Sequence, residues 1–199
     1  MFSGLLGELV KNLKKLPGVG QKSAQRMAMH IINMNKAEAE LLAETIKDTV
    51  NTYKNCKVCN MLTEQEVCEF CSNEMRSAEQ LCIVENTQDV YLIENTHEFK
   101  GKYFILKKLL SPIDGIGPDQ INFPKLKQYI KHHNTEELIL ALNPSAEGES
   151  TISFLGSELQ DSVKKITRLS TGLPFGGDIE YTSSITLGNA LKRRYSVED

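Results

Sequence analysis

The sequence predicts an α/β fold with a mostly parallel sheet, preceded by a basic helical region and joined to it by a four-cysteine motif. Three observations carry this. Residues 81–169 alternate short apolar runs with amphipathic segments, the pattern of strands linked by helices. Two C-x2-C pairs, Cys56-Lys57-Val58-Cys59 and Cys68-Glu69-Phe70-Cys71, stand eight residues apart. Residues 1–36 hold six Lys and Arg against one acid, Glu8, although the 199-residue chain as a whole carries a net charge of -3.

Taken in order, Leu5, Leu6, Leu9, Val10, Leu13 and Leu16 recur at helical spacing, and Pro17-Gly18 ends the helix. Gly18-Val19-Gly20 predicts a tight turn. A second helix starts near Gln21, with Ala24, Met27, Ala28, Ile31 and Ile32 on its apolar face. In such a helix–turn–helix, glycines let the backbone approach a phosphate, and the N–H groups opening the next helix point at it. Lys22 and Arg26 lie four apart on one face and would neutralise neighbouring phosphates of DNA, with no reading of bases. The alternative is an ordinary helical hairpin with a glycine C-cap. A third helix over 37–53 carries the stripe Leu41, Leu42, Ile46, Val50 and Tyr53 and is expected to pack on the first two.

Four cysteines in two C-x2-C pairs supply the thiolates of a closed tetrahedral site, so Cys56, Cys59, Cys68 and Cys71 are read as ligands of one structural Zn2+. Two disulfides are the alternative. The fifth cysteine, Cys82, lies in Leu81-Cys82-Ile83-Val84 and reads as a small buried strand residue. This thiol usage suits a reducing, cytoplasmic compartment. No segment has the pattern of a signal peptide, and no stretch approaches the ~20 apolar residues of a membrane span.

Beyond the cysteines, strands are expected at 81–85, 102–106, 137–143 and 165–169, and helices at 89–94, 123–133 and 149–162. His132-His133 ends a helix and reads as surface. Function in such a sheet gathers beyond the carboxyl ends of the strands. Glu85 closes the first strand there, and Glu147-Gly148-Glu149 follows the third. These acids would hold Mg2+, or they merely complement helix dipoles in first turns. There is no P-loop and no H-E-x-x-H pair, so ATP hydrolysis and zinc-protease chemistry are not expected.

At this point the chain resembles the bacterial recombination mediator RecR family along nearly its whole length. The resemblance rests on Leu16-Pro17-Gly18-Val19-Gly20 with Lys22-Ser23-Ala24-Gln25-Arg26, the four cysteines, and Ile83-Val84-Glu85. It continues through Leu110-Ser111-Pro112-Ile113-Asp114-Gly115-Ile116-Gly117-Pro118, Asn143-Pro144 with Glu147-Gly148-Glu149, and Gly172-Leu173-Pro174 with Gly176-Gly177-Asp178. It implies a helix-hairpin-helix region (1–54), a four-cysteine zinc motif (55–75), a Toprim-type α/β domain (76–171) and a C-terminal region (172–199). It also implies a ring-like homotetramer that clamps DNA and is not an enzyme. Members of the family act with RecO, and some with RecF, to load RecA onto DNA coated by single-strand-binding protein. Carried over residue by residue, DNA contact falls to Gly18, Gly20, Lys22 and Arg26, and partner binding to Glu85, Glu147 and Glu149. The rival is a Mg2+-dependent phosphodiester enzyme, since Toprim domains also occur in nucleases and topoisomerases. The chain departs from the family pattern at Lys108, where glycine is usual, at Ser183, where aspartate is usual, and at Leu142, where a polar residue is usual.

Overall fold

The structure, a computed structural model, describes residues 2–196. Residues 1 and 197–199, which fall in the expected first and last regions, lie outside the described residues. The chain divides into two compact units, residues 1–53 and 54–199. The four-cysteine motif and the C-terminal segment therefore belong to the same unit as the sheet.

The first unit holds helices α1 (Gly4–Leu13), α2 (Gln21–Asn33) and α3 (Lys36–Thr52). Val10, Ala24 and Ala28 are buried between α1 and α2, with Leu6, Leu9, Leu13 and Val19 packed around them. The two alanines let the helix axes approach closely. Met27 and Ile32, expected on the buried face of α2, are exposed. The third helix departs furthest from expectation. Asn35 caps it through Oδ1, which accepts from Ala37 N–H at 2.9 Å, but no residue of α3 is buried. Its stripe of Leu41, Leu42, Ile46, Val50 and Tyr53 is open to solvent rather than packed on α1 and α2. Periodicity marks the apolar face of the helix correctly, but it does not say what covers that face.

The second unit begins with a short antiparallel ribbon, β1 (Lys54–Asn55) and β2 (Leu62–Thr63), and a one-turn helix α4 (Glu69–Ser72). The sheet follows: β3 (Ser77–Val84), α5 (Thr87–Glu94), β4 (Gly101–Ile105), α6 (Phe123–His133), β5 (Glu137–Leu140), α7 (Ala146–Leu159) and β6 (Lys165–Arg168). All four strands are parallel, in the order β4-β3-β5-β6, with Cys82 opposite Tyr103 on one side and Ile139 on the other. Strand alternation splits the core. Leu81, Ile83, Phe104, Leu138 and Leu140 face α6 and α7, while Cys82, Val84, Tyr103 and Ile105 face α5 and the cysteine motif. The chain leaves β3 for β4 on one side and returns to β5 on the other. The crevice beyond the carboxyl ends of β3 and β5 is thus the switch point where such sheets bind.

Boundaries moved for identifiable reasons. The helix expected at 149–162 starts at Ala146, because Ser145 caps it by accepting from Gly148 N–H at 3.0 Å. A Cβ on Gly148 would lie 1.9 Å from the Asn143 carbonyl oxygen, so this turn needs glycine. The strand expected at 137–143 ends at Leu140. Helix α8 (Ser184–Lys192) was not expected. Ser183 caps it, its Oγ accepting from Thr186 N–H at 3.2 Å, so serine does here the capping work that aspartate also performs. Lys108 takes no special conformation. Its neighbour Lys107 does, at φ +71°. Leu142 is buried against α6 and α7. His132 is exposed, but His133 is half-buried against Tyr129, with ring centroids 4.3 Å apart.

Candidate metal centre and nucleic-acid interface

The cysteine motif is built from two knuckles. In the first, Cys56 N–H donates to Met61 O (2.7 Å) and Asn60 N–H to Cys56 O (3.1 Å), with Asn60 left-handed at φ +68°. In the second, Cys71 N–H donates to Cys68 O (3.1 Å) at the start of α4. The four Sγ atoms lie within 4.8 Å of one another, and Cys59 and Cys68 approach to 3.5 Å. Four Zn–S bonds of about 2.3 Å at tetrahedral angles separate sulfurs by about 3.8 Å, so the spacing fits zinc. None of the cysteines is in a disulfide, which sets that alternative aside. Cys68 N–H donates to Cys56 Sγ at 3.3 Å, a bond that favours the thiolate. Cys82 stays apart on β3, where burial pushes its thiol up to about 12 and leaves it unreactive.

The motif also covers the outer edge of β4, which would otherwise be a bare sheet edge. Ile105 N–H donates to Cys59 O (2.9 Å), and Asn60 Nδ2 donates to Ile105 O (3.0 Å). Lys125 on α6 reaches Asn60 Oδ1 at 2.6 Å. Lys102 on β4 donates to three carbonyls at the end of α4.

The hairpin in the first unit is made differently. Leu16 N–H bonds Leu13 O and Val19 N–H bonds Leu16 O, each at 3.1 Å, which closes the turn with Gly18 at φ +76°. That angle requires glycine. Gly20, at φ -79°, does not require it. A Cβ there would meet nothing within 4 Å, and no side chain caps the helix that Gly20 opens. Lys22 and Arg26 sit on the first two turns of α2, Lys22 exposed and Arg26 open to solvent along one side of the helix. Among the described residues, neither makes an ion pair.

At the switch point the three expected acids separate. Glu149 is held by Arg168 through two bonds of 2.8 and 2.5 Å, and these hold its carboxyl below the ordinary range. Glu85 is pushed up by burial, then by the charges of Asp89 and Glu147. The acidic group is therefore Glu85, Glu147 and Asp89. Asp89 was missed because its place in the first turn of a short helix reads as dipole compensation. Arg168 was also missed, since no local spacing signals a partner nineteen residues away on α7. Among the described residues, the cysteine quartet is the one group of three or more ligating side chains that converges on a common point. A cavity of about 820 Å³ opens beyond β5 and β6, lined among others by Asp89, Glu149, Arg168 and Arg193.

Comparison with known proteins matches this architecture piece by piece. Residues 6–50 match the RecR helix-hairpin-helix, residues 53–73 the RecR four-cysteine zinc finger domain, and residues 79–170 the Toprim domain. The chain is 41% identical over 198 residues to the recombination protein RecR of Acidothermus cellulolyticus, with 100% of each chain covered. It is 42% identical over 194 residues to that of Legionella pneumophila subsp. pneumophila, with 98% of each covered. The chain belongs to the RecR family. With the family's zinc finger on its own four converging cysteines, it carries one structural zinc site. Among the described residues, no helix of this RecR-family chain is long and apolar enough to cross a membrane.

Proposed function

We propose that this RecR-family protein is a non-catalytic mediator of recombination repair in the cytoplasm. It closes as a homotetrameric ring on DNA and works with RecO, and with RecF as a further partner, to promote RecA loading on DNA coated by single-strand-binding protein. The observation that carries DNA binding is the open hairpin turn. Gly20 faces empty space that the fold itself does not use, beside Lys22 and Arg26, which have no acidic partner among the described residues. A phosphate backbone fits that space and those charges, and such binding is blind to sequence.

Two apolar surfaces support assembly. One is the α3 stripe. The other lies in the segment after β6, where Phe175, Tyr181, Ile185 and Tyr195 are exposed. Two separate self-complementary patches per chain build a closed tetramer, whereas one builds only a dimer. Multivalency then offsets the weak hold of each hairpin on a chain of net charge -3. We assign RecO docking to the acidic surface of Glu85, Asp89 and Glu147, which repels phosphate and attracts a basic partner. Glu149, neutralised by Arg168, shapes its rim.

Retention on circular against linear duplex tests the clamp. The protein stays on closed circles and slides from free ends; equal retention on both contradicts it. The rival phosphodiester enzyme draws on the crowding of Glu85, Asp89 and Glu147. Mg2+- or Mn2+-dependent nicking by pure protein, abolished in Glu147→Ala, would establish the rival instead.

A further inference from the structure

Lys102 is the second residue of β4, directly ahead of the apolar run Tyr103-Phe104-Ile105, and is 7% exposed. Its Nζ donates to Phe70 O (3.0 Å), Cys71 O (3.0 Å) and Asn73 O (2.6 Å). Those three acceptors use all three of its donors. Its charge is another matter. Among the described residues, no carboxylate pairs with Lys102. A buried ammonium without a counter-charge is costly.

The counter-charge is the zinc centre that the four-cysteine motif implies. Zn2+ with four thiolates carries a net charge of about -2 in formal terms, and three of the four cysteines are buried. One of the carbonyls that Lys102 holds belongs to the ligand Cys71. A second cation serves the other knuckle: Lys125 Nζ donates to Asn60 Oδ1 (2.6 Å) and to Cys56 O (3.4 Å). One ammonium at each knuckle balances the formal charge of the tetrathiolate.

We infer that Lys102 is a positioning residue of the zinc centre. From β4 it fixes the carbonyls of the second knuckle and supplies charge that offsets the thiolates, so that zinc binding and docking of the knuckle on the sheet are one coupled event. A helix cap alone would need the hydrogen bonds and not the charge. Three variants separate these roles: Lys102→Arg keeps charge and donors, Lys102→Gln keeps two of the three donors without the charge, and Lys102→Met keeps the stem only. Zinc affinity is read by competition with a chromogenic chelator. Loss of such outer partners weakens metal binding roughly 10- to 100-fold, which is expected for Gln and Met, with Arg retaining most of the affinity. A Gln variant that binds zinc as tightly as the native protein overturns the inference. The unsubstituted protein gives a second test that does not depend on how the variants fold. Acetylation by a lysine-reactive ester, mapped by mass spectrometry, should spare Lys102 in the zinc form and modify it after chelation, while exposed Lys131 reacts equally in both. Continued protection of Lys102 after zinc removal also overturns the inference.

Discussion

The hairpin turn of the first unit and the cysteine knuckles of the second use the same materials to opposite ends. Both are tight turns with a left-handed residue, Gly18 in one and Asn60 in the other. Both have two cations beside them. In the knuckles every such group turns inward: Asn60 bonds β4, and Lys102 and Lys125 bond carbonyls of the motif. In the hairpin the groups turn outward, and Lys22, Arg26 and the space above Gly20 are left to solvent. Satisfied polar groups hold a fold together, and unsatisfied ones at a preorganised turn await a ligand. The motif richest in chemistry by composition, the four cysteines, is therefore architectural. The plain glycine turn is where we propose that DNA binds.

The largest effect expected from this contrast is on the knuckles. Structural zinc contributes on the order of 10–16 kcal/mol in isolated finger peptides, and that energy is folding energy. Cys68→Ser, or a strong chelator, should lower zinc below one per chain and speed hydrogen exchange across residues 54–73. The α1–α2 pair, which has its own core of Val10, Ala24 and Ala28, should exchange as before. A Cys68→Ser protein with full zinc content and native thermal stability would break the contrast from that side.

Gly20→Ala should do the reverse. The backbone at φ -79° accepts alanine and the new methyl meets nothing. Stability should therefore change by no more than ~1 kcal/mol, the cost of a poorer N-cap. DNA affinity should fall severalfold, because the methyl stands where a phosphate would approach. Thermal melts and duplex titrations on the same sample read both. Native affinity would mean that the space above the turn is unused.

The acidic surface sharpens the comparison more gently. Glu147→Ala should weaken RecO binding severalfold, mainly through the association rate, and leave DNA binding intact. Glu85 adds a pH signature. Its carboxyl is raised by burial, Asp89 and Glu147, so it gains its proton at a higher pH than an ordinary carboxylate. As pH falls toward that point, negative charge disappears from the proposed docking surface and RecO binding should weaken. Glu85→Gln, already neutral there, should show a shallower pH dependence. Identical pH profiles would remove Glu85 from the surface.

Much of this was legible in the chain and some was not. Cysteine spacing is a direct record of ligand geometry, so the zinc site could be read without a fold. Helix α6 falls at 123–133 as expected, because Leu126, Tyr129 and Ile130 mark its apolar face; in the structure left-handed Asn122 and Asn134 bound it. The covering of α3 was not legible, since a periodic stripe records an apolar face and not its partner. The Glu149–Arg168 pair joins α7 to the last strand, a meeting created only by the parallel order of β5 and β6. Lys102 did leave a trace, a charge inside an otherwise apolar strand. Its position at the start of the expected strand 102–106 does not say what it bonds.

The measurement that tests the central claim most directly is the salt dependence of duplex binding by Lys22→Ala and Arg26→Ala, with Lys164→Ala as control. Lys164 is exposed and pairs with Glu136, far from the hairpin in sequence. If Lys22 and Arg26 touch phosphates, each substitution lowers the slope of log affinity against log salt by roughly 0.9 for every phosphate no longer neutralised. The loss of affinity is the same for every DNA sequence tried, and zinc content stays at one per chain. Lys164→Ala leaves the slope unchanged. Equal losses of affinity from Lys22→Ala and Lys164→Ala, with no change of slope in either, would contradict the claim and make the hairpin a structural element.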